Sequence, residues 1–496
     1  MKRYLVFGVL GLFAFGSAAA CGSGSQGPQG PQGEPGEAGP PGPPGESVDG
    51  GGTTPSISAV IPEHTFLARN AEVTVSGYAT NWSATSKPTV DFGANIKVTN
   101  VIVASATSLV VDITTDGKAA VGLRDVKVTD AKGTETYAKA FNVLSPLSVS
   151  FQGVTAQGGI MLATIRNLDI ENPFDTTSST DPNTGATTYP NLAINLPAGV
   201  MNQGFYSFDP SAGFAAGTPT ATEIPLVLTI DVNAKAGMTD LDVVSGPPSA
   251  DGGVGAGQVD FPMPGGMNVQ ARTATALTSG TAASATIANA GDTALFSLTP
   301  ASSAMTILDW TSTPSSTYAS ISLLPDPGSW GANFANLLSQ ASPETVVYSS
   351  SKAVYGVYWD PSGTTGSISV TSTATAAGGN AAASASDGTK ATAVAASALP
   401  FVLTNGDLST GGDWVKVTLP TGQTSLRVQT IGDFYTDAVV TLLQSDGTTQ
   451  VGNPAETGTL VDTTFTGLTA GATYYVTFTQ GQMSFFSNSD YSAVIR

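Results

Sequence analysis

His64 is the only histidine and Cys21 the only cysteine among 496 residues, and these two counts limit the chemistry available. A single histidine rules out an HExxH zinc helix, and any histidine-dependent triad must run through His64. Its neighbours, Pro62-Glu63-His64-Thr65, read as an exposed turn. A single cysteine leaves no internal disulfide, thiolate zinc cluster or redox pair. "GGVGAG" from Gly252 has the glycines of a phosphate loop. It lacks the following helix and the Lys-Ser/Thr pair that make such a loop hold phosphate, so it reads as a strand connection. No catalytic residue emerges from this inventory.

Two acidic groupings could do chemistry of another kind. Hard cations take clustered carboxylate and carbonyl oxygens. Calcium is therefore the ion to consider at Asp169, Glu171, Asp175, Asp181 and Asn183, and at Asp433, Asp437 and Asp446. Neither group has EF-hand spacing, and the competing reading is that these side chains start turns by hydrogen-bonding nearby backbone. No other cofactor motif is present. Aromatic residues offer a separate lead, since a flat ring with a polar rim suits a sugar. "WTSTPSSTY" from Trp310, "YGVYW" from Tyr355 and "DFY" from Asp433 carry such rings. Alternation puts Tyr355, Val357 and Trp359 on one face of a strand and Gly356 with Tyr358 on the other, so one face must be core. Trp310, Tyr355 and Trp359 are the candidate ligand-binding residues.

The elements that would position these groups are strands. From Pro55 onward the chain runs in short alternating segments bounded by Gly, Asn, Asp and Pro, such as Glu72-Val73-Thr74-Val75-Ser76 and Asp125-Val126-Lys127-Val128-Thr129. This pattern predicts half-buried antiparallel strands in β-sandwiches. Charged residues are 11% of the chain, against roughly 25% in an average soluble domain. The formal net charge is −19. That sign disfavours nucleic acid and anionic lipid headgroups as partners.

Before the strands comes an address label. Lys2 and Arg3, an apolar run from Tyr4 to Phe15 and small residues from Ser17 to Ala20 have the layout of a secretory signal peptide. Ala18-Ala19-Ala20-Cys21-Gly22-Ser23 resembles a bacterial lipobox, which implies that Cys21 is acylated and tethers the protein to a membrane. Ala18 stands where that family usually has leucine, and ordinary cleavage leading to free secretion is the other reading. Gly22 after the cysteine resembles lipoproteins exported to the outer membrane. Seven glycines, Gly27, Gly30, Gly33, Gly36, Gly39, Gly42 and Gly45, then recur every third residue with prolines between them. Only glycine fits the axis of a collagen triple helix. The repeat resembles the collagen-like stalks of bacterial surface proteins. It implies either a homotrimer or a single extended spacer reaching roughly 65 Å.

Further resemblances fill the rest of the chain. Residues from Pro55 to Val143 resemble the immunoglobulin-like IPT/TIG family through "VTVSGYA" from Val73, "VDFG" from Val90, "ATSLVV" from Ala106 and "GLRDVKVTD" from Gly122. Ala79 stands where that family often has glycine. "KAAVGLRDVKV" from Lys118 is echoed by "KAGMTDLDVV" from Lys235, which points to a second copy interrupted by an irregular insertion, Asp169 to Tyr189. Residues 400–496 resemble the bacterial pre-peptidase C-terminal domain through "GDWVKVTLPTGQTSLRVQT" from Gly412, "TDAVVTLLQSDGT" from Thr436, "LTAGATYYVTFT" from Leu468 and "DYSAVI" from Asp490. A degraded relative begins at "GDTALFSLTP" from Gly291.

The expected organisation is all-β, with tandem immunoglobulin-like and jelly-roll-like β-sandwiches after a signal peptide and a collagen-like stalk. The boundaries are a signal peptide at 1–20, the lipidated cysteine, stalk and hinge at 21–54, and sandwiches at 55–145, 146–270, 271–372 and 400–496. Residues 373–399, rich in Ala, Gly, Ser and Thr, are expected to be a linker. The expected function is a non-catalytic, lipid-anchored envelope protein, on the surface or periplasmic face of the outer membrane. It would present sandwiches for adhesion or for binding a glycan or protein ligand. The alternative is a secreted hydrolase or hydrolase accessory subunit, which the pre-peptidase resemblance implies.

Overall fold

A computed structural model describes residues 54–180, 187–209, 213–248, 257–314, 320–324, 344–360, 362–363, 365–408, 411–432, 437–456, 461–481 and 490–496. The signal-like segment, Cys21, the glycine repeat, Asp181, Asn183 and Asp433 lie outside them. The fold is all-β, with no α-helix among the described residues. Contacts divide the chain into two compact units, one built mainly on Arg69–Val143 with the strands before it, the other on Leu144–Arg496.

The first unit is a sandwich of two four-stranded sheets. Its strands are β1 (Ser56–Ile61), β2 (His64–Phe66), β3 (Asn70–Tyr78), β4 (Thr89–Asp91), β5 (Ile96–Ser105), β6 (Ser108–Thr115), β7 (Gly122–Asp130) and β8 (Gly133–Leu144). One sheet has the order β1-β3-β6-β5 and the other β2-β8-β7-β4. Alternation sends Val73, Val75, Leu109, Val111 and Ile113 inward to meet Val126, Val128, Phe141 and Val143, all at most 1% exposed. Phe92 and Phe141 meet edge to face at 4.9 Å. Ala79 has φ +54°, a left-handed conformation that disfavours a residue with a Cβ.

The second unit holds three sandwiches. In the first of these, Leu147–Gln152, Ile160–Asn167, Glu223–Ile230 and Val200–Gly204 form one sheet, and Leu192–Asn195, Gly237–Ser245 and Val259–Val269 the other. The sequence echo falls on equivalent strands. Gly122 and Gly237 have φ +117° and +119°, and opposite an aspartate in each of these strands the partner strand bulges. Asp125 accepts a hydrogen bond from Lys139 N at 2.9 Å, and Asp240 accepts one from Gly265 N at 2.8 Å. The carboxylate occupies the backbone donor that the bulge frees from the ladder.

The next two sandwiches have two four-stranded and two five-stranded sheets. Residues 373–399 are not a linker. Strand Gly366–Ala376 runs through their start, and Gly379–Ala382 and Val394–Ala395 add parallel edge strands beside Phe401–Asp407 and Asp413–Thr418. Their small side chains bury little area. Backbone pairing to existing sheets supplies the missing stabilisation, and Ala381, Val394, Ala396 and Leu399 close over the core.

Both junctions in this unit are sealed. Ile160 and Val227 of one sandwich pack on Leu295, Val357 and Trp359 of the next. There the backbone of Gly153 approaches Gly291 so closely that a Cβ on Gly153 would lie 2.2 Å from Gly291 O. Asp292 Oδ1 accepts Val154 N at 2.9 Å across the same seam. At the following junction Ile307 packs on Val402 and Val494. Arg496 grips Asp309 bidentately at 2.5 and 3.0 Å and also donates to Gln429 Oε1 at 2.6 Å. Burial alone would raise the Asp309 carboxyl, but hydrogen bonds from Arg496 and Thr345 outweigh it and hold the group below its ordinary range.

Candidate functional site

The insertion after strand Ile160–Asn167 is held by its own polar side chains. Asn167 Nδ2 donates to Asn172 O at 2.8 Å, and Asn167 Oδ1 accepts Asp169 N at 2.9 Å. Asn172 Nδ2 donates to Asp169 Oδ2 at 2.9 Å. Phe174 then anchors the segment, buried edge to face against Phe261 with centroids 5.1 Å apart. Asp175 N donates to Ser245 Oγ at 2.6 Å, and Asp175 Oδ2 accepts Asn191 Nδ2 at 2.8 Å. The hydroxyl and backbone N–H of Thr177 donate to Asp175 Oδ1, and these bonds hold its carboxyl below the usual range.

This frame buries Asp169, 3% exposed, and turns its two neighbours outward: Leu168 is 49% and Ile170 81% exposed. The arrangement is a pre-ordered loop with an apolar tip. A partner that covered it would gain apolar burial without the cost of ordering the loop.

Three of the acidic residues considered for calcium, Asp169, Asp175 and Asp446, are engaged in local hydrogen bonds. Asp169 and Asp175 spend their oxygens on Asn and Thr donors, while Glu171 lies exposed beside them. Asp446 closes a turn by accepting the hydroxyl of Thr449 and the N–H groups of Thr448 and Thr449, the latter two at 2.8 Å, and these bonds, the hydroxyl foremost, depress its carboxyl strongly. Asp437 is buried, and its backbone carbonyl accepts Gly481 N at 2.9 Å. Among the described residues, no group of three or more His, Cys, Asp or Glu side chains is placed to hold a metal ion. His64 stands exposed at the start of β2.

The three aromatic candidates are placed as packing residues, contrary to the sugar-stacking expectation. Trp310 is fully buried in its own sandwich. Gly356 leaves room for it, since a Cβ there would lie 2.3 Å from Trp310 Cζ3. Trp359, 2% exposed, and the half-buried Tyr355 lie in the junction cluster with Ile160 and Val227. Both faces of "YGVYW" are covered, because the outer face of this sandwich meets the preceding one.

A buried carboxyl pair escaped the sequence reading. Asp413 and Asp387 are each 2% exposed. Tyr491 Oη donates to Asp413 Oδ2 at 2.6 Å, and Ser384 N donates to Asp387 Oδ2 at 2.8 Å. Burial, with the neighbouring Asp387 adding to it, pushes Asp413 up to about 6 against the opposing bond from Tyr491. Burial, reinforced by Asp413, likewise pushes the Tyr491 phenol upward. Two such groups can share one proton. Enclosed as they are, they fasten the 378–398 segment to its sandwich, where Trp414 N also donates to Asp387 O at 3.1 Å. Sequence alone does not reveal the pair, because Asp387 lies in low-complexity sequence and Asp413 is far from it in type and spacing of neighbours.

A family model described as quinohemoprotein amine dehydrogenase, alpha subunit domain III, matches residues 54–141, which is the first sandwich. Among curated proteins none matches the chain. Similar solved structures include SGBP-B of the Bacteroides ovatus mixed-linkage glucan utilization locus in complex with a mixed-linkage heptasaccharide. It is 12% identical, covering 62% of this chain and 76% of that one, with a TM-score of 0.14. SGBP-B from a complex xyloglucan utilization locus in Bacteroides uniformis is 10% identical, covering 89% and 98%, with a TM-score of 0.14. Titin immunoglobulin tandem domains are 11% identical, covering 44% and 100%, with a TM-score of 0.13.

Proposed function

We propose that the chain is a non-catalytic cell-envelope protein, tethered through acylated Cys21, whose tandem sandwiches bind a partner at the insertion loop of residues 168–175. The pre-ordered tip of Leu168 and Ile170 carries this reading. Two aliphatic side chains on a rigid loop suit an apolar dimple on a protein. A glycan would call for open aromatic faces, and the three candidate rings are spent on packing. The matched family model names a domain of a quinohemoprotein subunit, yet a chain with one cysteine cannot form the C-x-x-C-H haem attachment. Rigid junctions suit display, since they hold the loop at a fixed place on the Leu144–Arg496 unit.

The reading is tested by solid-phase binding of the full chain to surface proteins and polysaccharides from its own envelope. Leu168→Asp with Ile170→Asp should weaken saturable capture of a protein component at least tenfold, with the melting temperature unchanged. Equal capture by the double variant would remove the loop as the contact, and no saturable capture at all would remove the binding role. Palmitate incorporation lost in Cys21→Ser checks the tether separately.

A further inference from the structure

We propose that the outward face of the β1-β3-β6-β5 sheet is where copies of this chain meet. Cross-strand register places one row of side chains over the whole face. Ile61 is opposite Thr74, Thr74 opposite Val110, and Val110 opposite Ile102. Residues in such a row share a face. Their inward neighbours Val60, Val73, Val75, Leu109 and Val111 are buried, so the row points away from the core. Two further steps along β3 bring Tyr78 to the same face, past Ser76. Ile61 and Tyr78 are each 61% exposed and Ile102 is 51%.

Charge divides this face. Glu72 and Asp112 sit opposite one another on one side of the row, while on the other Ser76 faces Ser108. Identical chains of net charge −19 repel one another, so an uncharged apolar half-face is where they can approach.

The occupant is the same face of other copies, and the sequence just before β1 supports that choice. The last glycine of the strict repeat, Gly45, precedes Ser56 by eleven positions, and glycine at every third residue is what a three-chain collagen helix requires. Neither contact suffices alone. Four strands about 4.8 Å apart and five residues at about 3.3 Å give a face of roughly 300 Å². A stable interface buries about 800 Å² per partner. Seven triplets are likewise short for a triple helix. Joined in one chain, each contact raises the effective concentration for the other. The proposal concerns assembly and does not depend on the insertion loop or its partner.

The test is sedimentation equilibrium on the mature chain from residue 21, carrying Cys21→Ser so that acyl chains do not cluster it. The unsubstituted face should give an oligomer at micromolar concentration. Ile61→Lys and Ile102→Lys should each weaken self-association at least tenfold, with circular dichroism unchanged. Thr136→Lys, exposed on β8 of the opposite sheet, should leave it intact. Ile102→Ser provides the milder variant should lysine disturb folding. A monomer before substitution overturns the proposal. So does an oligomer abolished by Gly36→Ala yet indifferent to Ile61→Lys, Ile102→Lys and Ile102→Ser.

Discussion

Outward-facing apolar side chains meet different fates in the two units. In Leu144–Arg496, Ile160, Val227, Leu295 and Val357 point away from their own cores, and the next sandwich covers them. In the first sandwich Ile61, Tyr78 and Ile102 also point away from the core, and they remain in solvent. The difference teaches that in Leu144–Arg496 an apolar outer sheet face can mark a junction between sandwiches. In the first sandwich the proposed neighbour is another copy of the chain.

The largest effect should come from breaking the covered side. Trp359→Ala deletes the biggest side chain of its junction, and truncations of this kind cost about 3–5 kcal/mol. Calorimetry should show a lower melting temperature and a transition that splits, as the two sandwiches uncouple. Arg496→Ala should cost less, about 1–3 kcal/mol, because it strips the partly buried Asp309 carboxylate of its charged donor. That loss should exceed the effect of Arg166→Ala in urea unfolding, since the Arg166 bridge to Glu223 is exposed on both sides.

The pH dependence separates two carboxyl groups in this unit by sign. Asp309, held low, contributes stability above the ordinary carboxylate pKa of about 3.9, and that contribution is lost as pH falls through its depressed value. Asp413, raised to about 6, works the other way. The folded state holds a proton that the unfolded chain releases, so stability falls as pH rises from about 4 to about 6. Asp413→Asn should flatten that fall, measured by urea titration across the window. The smallest effect should be confined to the uncovered sandwich. Ala79→Gly should stabilise it by about 1 kcal/mol by relieving the left-handed backbone, read as a higher urea midpoint for that unit alone.

Much of the fold was legible. Alternation in "EVTVS" and "DVKVTD" located β3 and β7, and the echo between Lys118 and Lys235 fell on strands sharing one bulge and one aspartate lock. Less of the site was legible. The irregularity of the insertion and its acids are plain in the sequence, but the frame that Asn167 and Asn172 build with Asp169 depends on the folded path of the loop. The junctions also left a trace. "IMLATI", "PFVLT" and "AVI" are apolar at nearly every position, and a strand without alternation is one buried on both faces. The 373–399 stretch misled because composition measures side-chain burial and is silent on pairing to an existing sheet edge.

The sequence by itself determined the strand pattern, the sparse charge, the single histidine and cysteine, and the glycine repeat before the strands. These follow from local periodicity and residue counts. Only the tertiary structure decided which face of a strand meets a second core, that Trp310 and Trp359 are spent on packing, that Asp387 lies against Asp413, and that Leu168 and Ile170 stand clear. Each depends on a neighbour distant in the chain, and side-chain burial is set by that neighbour more than by the residue itself.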